Sequence, residues 1–284
     1  GDSFVLTPLF CGSNSTGWRR TNAYMKQGSR GMTLSTAMAI SGAAVNPDTG
    51  VAGGGVTRDK LVSALLSLLN LRLGYWAPNP YVVRSFPFPP NFFVPGLSRG
   101  ILGRGFSEKS RSIELSDGGH FENLGLYELI RRKLPVIIAS DAGADPGFRF
   151  GDLENAVERV RVDFGAKIRF RESLGLECLL PGSAKGLLAE KFSLAAQGYA
   201  IADIDYHDGT RGQLFYIKTT LTPDLPADVY GYKSANPTFP DQSTADQFFN
   251  EDQFEAYREL GYQLAKQMLR SNSGEELIRN LSRS

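Results

Sequence analysis

A chain of 284 residues with 42% hydrophobic residues is long enough to bury a sizeable core, as one large domain or two modest ones. Its 31 Lys and Arg against 30 Asp and Glu leave a formal net charge of +1, which argues against a bulk electrostatic nucleic-acid binder. The two cysteines, Cys11 and Cys178, give neither a CxxC metal spacing nor a disulfide framework.

Phe4 to Phe10 reads as a short strand or extended segment, and Gly12 to Gly17 as a polar turn cluster. The chain starts Gly-Asp-Ser-Phe-Val-Leu with no basic leader region, and the initial Gly points to a processed or truncated product. Met32 to Val45 is rich in Ala and other small residues and is closed by Pro47, which predicts a buried helix. Asp48 to Gly55 has the composition of a flexible loop. Leu61 to Leu73 predicts a second buried helix, apolar around much of its circumference. It is interrupted by Ser63, Ser67, Asn70 and Arg72 and is too short to span a bilayer. Pro78 to Gly105 carries repeated prolines with aromatics between them and reads as a surface loop or a lid.

The segment Ser116-Asp117-Gly118-Gly119-His120-Phe121-Glu122-Asn123 makes the most specific chemical statement in the chain. Ile113 to Ser116 predicts a strand. Phe121 to Arg132 predicts a helix, with Phe121, Leu124, Tyr127 and Ile130 on one face. The two glycines between them allow φ > 0 and close backbone approach. A carboxylate held at such a point can accept a proton or orient a group that does. It can equally cap the helix that follows.

Leu134 to Ser140 is a nearly continuous apolar run and predicts a central parallel strand. Asp141 to Gly147 follows as a loop. Asp152 is the expected N-cap of a helix that buries Leu153, Ala156, Val157 and Val160. Ala166 to Arg171 predicts another strand, completing an α/β rhythm. Gly198 to Tyr206 and Gln213 to Thr220 predict an antiparallel hairpin turning through Asp208-Gly209. Pro223 to Ser243 reads as a loop. Asp252 to Arg270 predicts a long helix with Phe254, Tyr257, Leu260, Leu264 and Met268 in one stripe, and Glu275 to Leu281 a short terminal helix.

The Asp-Gly-Gly turn after a strand, then Asn123-Leu124-Gly125-Leu126, then Val136-Ile137-Ile138-Ala139-Ser140-Asp141, resembles the catalytic-aspartate region of patatin-like and cytosolic-phospholipase-like lipid acyl hydrolases. Leu34 to Ala44, Pro237 to Pro240, Ser243 to Gln247 and Phe254 to Arg258 are similar to further segments of bacterial members. The resemblance covers most of the chain, but chemistry resides only in the Asp-Gly-Gly region. It implies a Ser-Asp dyad in which Asp117 is the base for a serine, without histidine. It also implies a glycine-rich oxyanion loop, glycerolipid or other ester substrates, and no cofactor or metal. The implied fold is a three-layer α/β/α arrangement with a mixed, mainly parallel sheet and an antiparallel C-terminal extension. On that basis residues 1–284 form one incomplete catalytic domain. Residues 78–105 form its loop or lid, and residues 185–284 its hairpin and helical extension. A cytoplasmic location, or one at the cytoplasmic face of a membrane, follows from the same resemblance.

The family serine lies in a Gly-x-Ser-x-Gly elbow near the start of the domain. The match in this chain is Gly96-Leu97-Ser98-Arg99-Gly100, with Gly53-Gly54-Gly55 upstream in the position of an oxyanion loop. An elbow needs a strand before it and a helix after it. Pro95 adjoins the turn, and Gly103 and Gly105 each cost a following helix about 1 kcal/mol relative to Ala. The favoured expectation is therefore that this chain supplies Asp117 while the nucleophile sits on a missing N-terminal segment, leaving the chain inactive alone. A sheet edge truncated in that way predicts self-association. Two alternatives stand beside it: an active hydrolase using Ser98, and a non-catalytic lipid- or protein-binding domain. His120 and Glu122 lack a third ligand at metal-binding spacing. Asp141 and Asp145 fall at a strand end, where they either shape a site edge or serve turn chemistry. Arg30 and Arg58 are candidate lipid-phosphate contacts or solvated loop residues. The Phe86 to Phe93 run either touches membrane lipid or packs on the protein.

Overall fold

The computed structural model describes residues 2–26, 33–43, 74–82, 107–243 and 248–281. They belong to two compact units, Gly1–Asn123 and Leu124–Ser284.

The first unit opens with a three-stranded antiparallel sheet of β1 (Val5–Leu6), β2 (Phe10–Ser13) and β3 (Gly17–Arg20). The extended segment expected over Phe4 to Phe10 is split by a turn. Thr7 accepts from Phe10 N through Oγ1 at 3.0 Å and donates its own N–H to Phe10 O at 3.1 Å. Gly12 sits in β2 at φ 142°, and a Cβ there would lie 2.1 Å from Gly17 O, so only glycine lets β2 and β3 pair. Helix α1 (Thr21–Lys26) follows and buries Tyr24. Helix α2 (Leu34–Ser41) is capped by Thr33 Oγ1, which accepts from Thr36 N at 3.1 Å. It was expected to be buried, but Ile40 alone of its residues is, while Leu34 and Met38 are exposed. Its Ala and Ser side chains carry too little apolar area to draw the helix inward. Two further strands, β4 (Tyr75–Pro78) and β5 (Ser112–Leu115), pair antiparallel with Tyr75 opposite Leu115. Cys11, Tyr24, Ile40, Ala77 and Leu115 form this unit's core cluster.

The second unit is organised by a four-stranded sheet of β6 (Val136–Asp141), β7 (Lys167–Phe170), β8 (Tyr199–Asp205) and β9 (Arg211–Lys218), in the order β6-β9-β8-β7. The sheet is mixed, as expected. Among its described strands antiparallel pairing outweighs the parallel pairing expected: β6 and β9 run parallel, while β9 with β8 and β8 with β7 are antiparallel. The hairpin expected as a C-terminal extension is the centre of the sheet. Its residues Ile201, Ala202, Ile204, Leu214 and Phe215 are fully buried, whereas β6, expected to be central, is an edge among the described strands. Along β6, Ile137 and Ala139 are buried while Ile138 is 48% exposed, the alternation of a strand covered on one face. Across β7 and β8, Arg171 pairs with Asp203 at 2.7 Å and Arg169 pairs with Asp205. The Arg171 guanidinium holds the Asp203 carboxyl below its ordinary value.

Helices α3 (Leu126–Arg131) and α4 (Gly151–Phe164) bury Leu126, Tyr127 and Ile130, and Leu153, Ala156 and Val160. The N-cap of α4 is Phe150, not Asp152, which lies in the first turn instead. Helix α5 (Leu187–Phe192) is short and largely exposed. Helix α6 (Ala227–Ala235) occupies what read as a loop over Pro223 to Ser243. It starts directly after Pro226, where a missing N–H is tolerated. It buries only Val229, so no apolar period betrays it. Helix α7 (Glu251–Leu269) begins at Asn250, whose Oδ1 accepts from Gln253 N at 2.8 Å. Leu260, Leu264 and Met268 of the expected stripe are buried, but Phe254 is 59% exposed, and Gln253 and Ala256 turn inward nearby. Helix α8 (Asn272–Leu281) closes the chain where a terminal helix was expected. Tyr199, Ile201, Phe215 and Ile217 of the sheet form one core cluster with Val229, Phe239, Leu260, Leu264, Met268 and Leu277. No helix among the described residues is long and apolar enough to cross a membrane.

Two substitutions on α7 separate core packing from helix propensity. Leu260→Ala should lower the unfolding free energy by about 2–5 kcal/mol in urea titration. Phe254→Ala on the exposed face should change it by about 0.5 kcal/mol or less.

Candidate functional site

Strand β5 ends at Leu115 and delivers Ser116 and Asp117 to a tight turn. Asp117 is half-buried and caps a single 3₁₀ turn, Gly118–His120. Its Oδ1 accepts from Gly119 N at 2.7 Å, and its N–H donates to Ala43 O at 3.4 Å. Oδ2 takes no hydrogen bond among the described residues. The carboxylate is thus fixed through one oxygen and leaves the other for a partner.

The helix expected from Phe121 to Arg132 does not form as one element. Phe121 N and Glu122 N both donate to Gly118 O at 2.9 Å, which closes the 3₁₀ turn. Helix α3 starts only at Leu126, after Gly125 at φ 71°. The left-handed glycine expected at Gly118 or Gly119 therefore sits at Gly125. Gly119 is required for a different reason. A Cβ there would lie 2.9 Å from Asn123 Oδ1 and 3.1 Å from Asp117 Oδ1, so a side chain would displace the carboxylate. Gly118 has open space around its Cβ position. Ser116 Oγ lies 3.2 Å from His120 Nδ1, a contact that residue spacing did not flag. Glu122 is buried, and among the described residues no group of acids, histidines or cysteines could hold a metal ion.

Ser98, the Gly53 to Gly55 run, Arg30, Arg58, the Leu61 to Leu73 segment and the Phe86 to Phe93 run lie outside the described residues. The same holds for residues 244–247 of the Ser243 to Gln247 segment.

A second polar centre occupies the C-terminal ends of the parallel strands β6 and β9, where Asp141 and Lys218 are register partners. They are 5% and 1% exposed. Lys218 Nζ donates to Asp141 Oδ1 at 3.2 Å and to Gly143 O at 2.6 Å. Tyr216 OH donates to Asp141 Oδ2 at 2.5 Å, and Gly143 N donates to Oδ1 at 2.9 Å. Burial, and then the Asp141 carboxylate, push the Tyr216 phenol far above its ordinary value, so it stays a donor. The loop beyond is equally organised. Asp145 accepts from Arg149 N at 3.0 Å and from Phe150 N at 2.7 Å. Its own N–H donates to Asp241 Oδ1 at 3.0 Å. Phe148 and Phe150 adopt left-handed backbone at φ 45° and 55°, a conformation that costs a bulky residue about 1–3 kcal/mol. Asp145 bridges that strain by holding both ends of the turn. Asp141 and Asp145 are thus fully engaged in ion pairing and turn chemistry. Lys218 and Tyr216 escaped the sequence reading because a lysine inside an apolar strand has no local signature. Only the β6–β9 register brings its counter-ion opposite.

Compared with known proteins, this chain matches no family model, no curated protein and no solved structure.

Lys218→Met leaves Asp141 buried without its counter-ion and should destabilise the protein by about 3–5 kcal/mol. The double variant Asp141→Asn with Lys218→Met should recover at least half of that loss. Chemical denaturation of the four species measures the coupling.

Proposed function

We propose that this protein is a serine-dependent lipid acyl hydrolase in which Asp117 is the general base of a Ser-Asp dyad. The observation that carries the reading is the Asp117 carboxylate at a strand end. One oxygen is fixed by Gly119 N–H, and the other takes no hydrogen bond among the described residues. A serine needs an adjacent base to become nucleophilic, and a base needs rigid placement within hydrogen-bond reach. The spatial demand at Gly119 supports the same role, because any side chain there would push the carboxylate aside.

In this reading the serine hydroxyl gives its proton to Asp117 as its oxygen attacks the ester carbonyl. The alcohol leaves as Asp117 returns that proton, and an acyl-serine remains. Water then loses a proton to Asp117 and attacks the acyl group, and Asp117 passes that proton to the departing serine oxygen as the fatty acid is released. Ser98 in Gly96-Leu97-Ser98-Arg99-Gly100 is the alternative nucleophile within this chain, not the favoured one. The substrates are glycerolipid or related esters, met at a membrane surface. The fold belonging to the proposal is a three-layer α/β/α arrangement around the mixed sheet, supported by helices that bury apolar faces in the second unit.

Hydrolysis of short-chain p-nitrophenyl esters and of dispersed phospholipid tests the assignment. Asp117→Asn keeps an oxygen to accept from Gly119 N–H, so the turn should survive with an unchanged thermal melt. It should lower kcat by about 10²–10⁴-fold. Loss of turnover in Ser98→Ala assigns Ser98 as the nucleophile, and retained turnover assigns another serine. Unchanged hydrolysis in Asp117→Asn rejects the proposal.

A further inference from the structure

Beyond the ends of β6 and β9, the second unit contains a pocket of about 430 Å³. That volume lies within the range of small-molecule sites, about 300–1,000 Å³. Phe148 and Pro146 line it from the loop after β6, Thr220 and Leu221 from the segment after β9, and Lys233 and Asp241 from α6 and beyond. Two of its lining residues, Phe148 and Ser193, have left-handed backbone at φ 45° and 50°. Strain of that kind persists only where surrounding structure enforces it, and it concentrates at ligand sites. Here the enforcement is visible. Asp145 holds the 148–150 turn through Arg149 N and Phe150 N, and its own N–H reaches Asp241 Oδ1.

The charges in the pocket carry the argument further. Lys233 Nζ donates to Pro237 O at 2.8 Å and to Phe239 O at 2.6 Å. An ammonium has three donors, so one hydrogen is left. Asp241 uses Oδ1 for Asp145 N–H and leaves Oδ2. Lys233 and Asp241 line one pocket yet form no ion pair with each other. Burial pulls the Lys233 ammonium below its ordinary value while Asp241 pushes it back up, so this cation gains from a further anion. A simple anion would meet Asp241, and a simple cation would meet Lys233. Each is opposed by one of the two charges. A ligand that carries both charges satisfies both groups at once.

We infer that this pocket binds a small zwitterion, with its carboxylate or phosphate on Lys233, its ammonium on Asp241, and an apolar remainder against Phe148 and Leu221. The site is independent of the hydrolase reading of Asp117. The same chemistry comes from two sources, a free α-amino acid and a phosphoethanolamine head group. Titration calorimetry on the full chain separates them with four probes: L-leucine, phosphoethanolamine, inorganic phosphate and ethanolamine. At least one zwitterion should saturate, about tenfold or more tighter than either single-charge probe. Preference for leucine assigns the amino-acid source, and preference for phosphoethanolamine the head group. Asp241→Asn removes the charge while keeping an acceptor for Asp145 N–H, so the loop stays closed. It should weaken the zwitterion by about tenfold or more. Lys233→Gln should do the same, and the Asp241 variant decides the matter if the Lys233 variant fails to fold. The inference is overturned if neither zwitterion saturates on a protein with a cooperative thermal melt. It is also overturned if phosphate alone binds as tightly, or if Asp241→Asn leaves affinity unchanged.

Discussion

Lys218 is buried inside the second unit, and Asp141 is the counter-ion that the parallel pairing of β6 and β9 places opposite it. Burying either charge alone would cost several kcal/mol, so register, pairing and loop are bound together. A slip of one residue between the strands would carry Asp141 to the other face and leave Lys218 unmatched. The same carboxylate accepts from Tyr216 OH and Gly143 N, so it also fixes the first turn of the loop that follows. From that anchored start the chain reaches Asp145, which closes the next turn and touches Asp241. The left-handed Phe148 and Phe150 are tolerable because both ends of their segment are tied. A strand at the edge of the described sheet thereby becomes a platform for a pocket wall.

Much of the second unit was legible in the sequence. The β8–β9 hairpin is legible because Gly198 to Tyr206 and Gln213 to Thr220 are β-rich runs joined through Asp208-Gly209, and they overlap the observed strands. Helix α7 declared itself through Leu260, Leu264 and Met268 at helical spacing. Strand order was not legible. Leu134 to Ser140 reads as central because apolar runs usually are, yet Ile138 is exposed and the hairpin fills the centre. Which strands sit inside is set by long-range pairing, and that leaves no local trace. Helix α6 was missed for a related reason. With Val229 as its one buried residue, it is held by its neighbours rather than by an apolar stripe of its own.

The Asp-Gly-Gly turn was read correctly as a carboxylate on a tight turn after a strand, but its mechanics were misassigned. A helix was expected to follow at once, because Phe121, Leu124, Tyr127 and Ile130 share a helical period. Backbone bonding to Gly118 O closes a 3₁₀ turn instead, and Gly125 supplies the left-handed residue that restarts the chain as α3. Periodicity reports which side chains can share a face; it does not report where the hydrogen-bond ladder breaks. The cap uses one oxygen of Asp117, and the other takes no hydrogen bond among the described residues.

Three carboxylates of this chain show how the same group takes different roles. Asp141 is buried, ion-paired and hydrogen-bonded on both oxygens, so nothing is left for a substrate. Asp145 spends both oxygens on backbone N–H groups of its own turn. Asp117 is half-buried and spends one. A general base must be held firmly and still have a lone pair to offer, and full satisfaction removes the second condition as surely as full exposure removes the first. By that criterion Asp117 and Asp241, each with one oxygen fixed by a backbone N–H and the other without a hydrogen bond among the described residues, differ from Asp141 and Asp145. Asp141 and Asp145 build the frame. Sequence spacing treats all four alike, and only the hydrogen-bond account of each oxygen separates them.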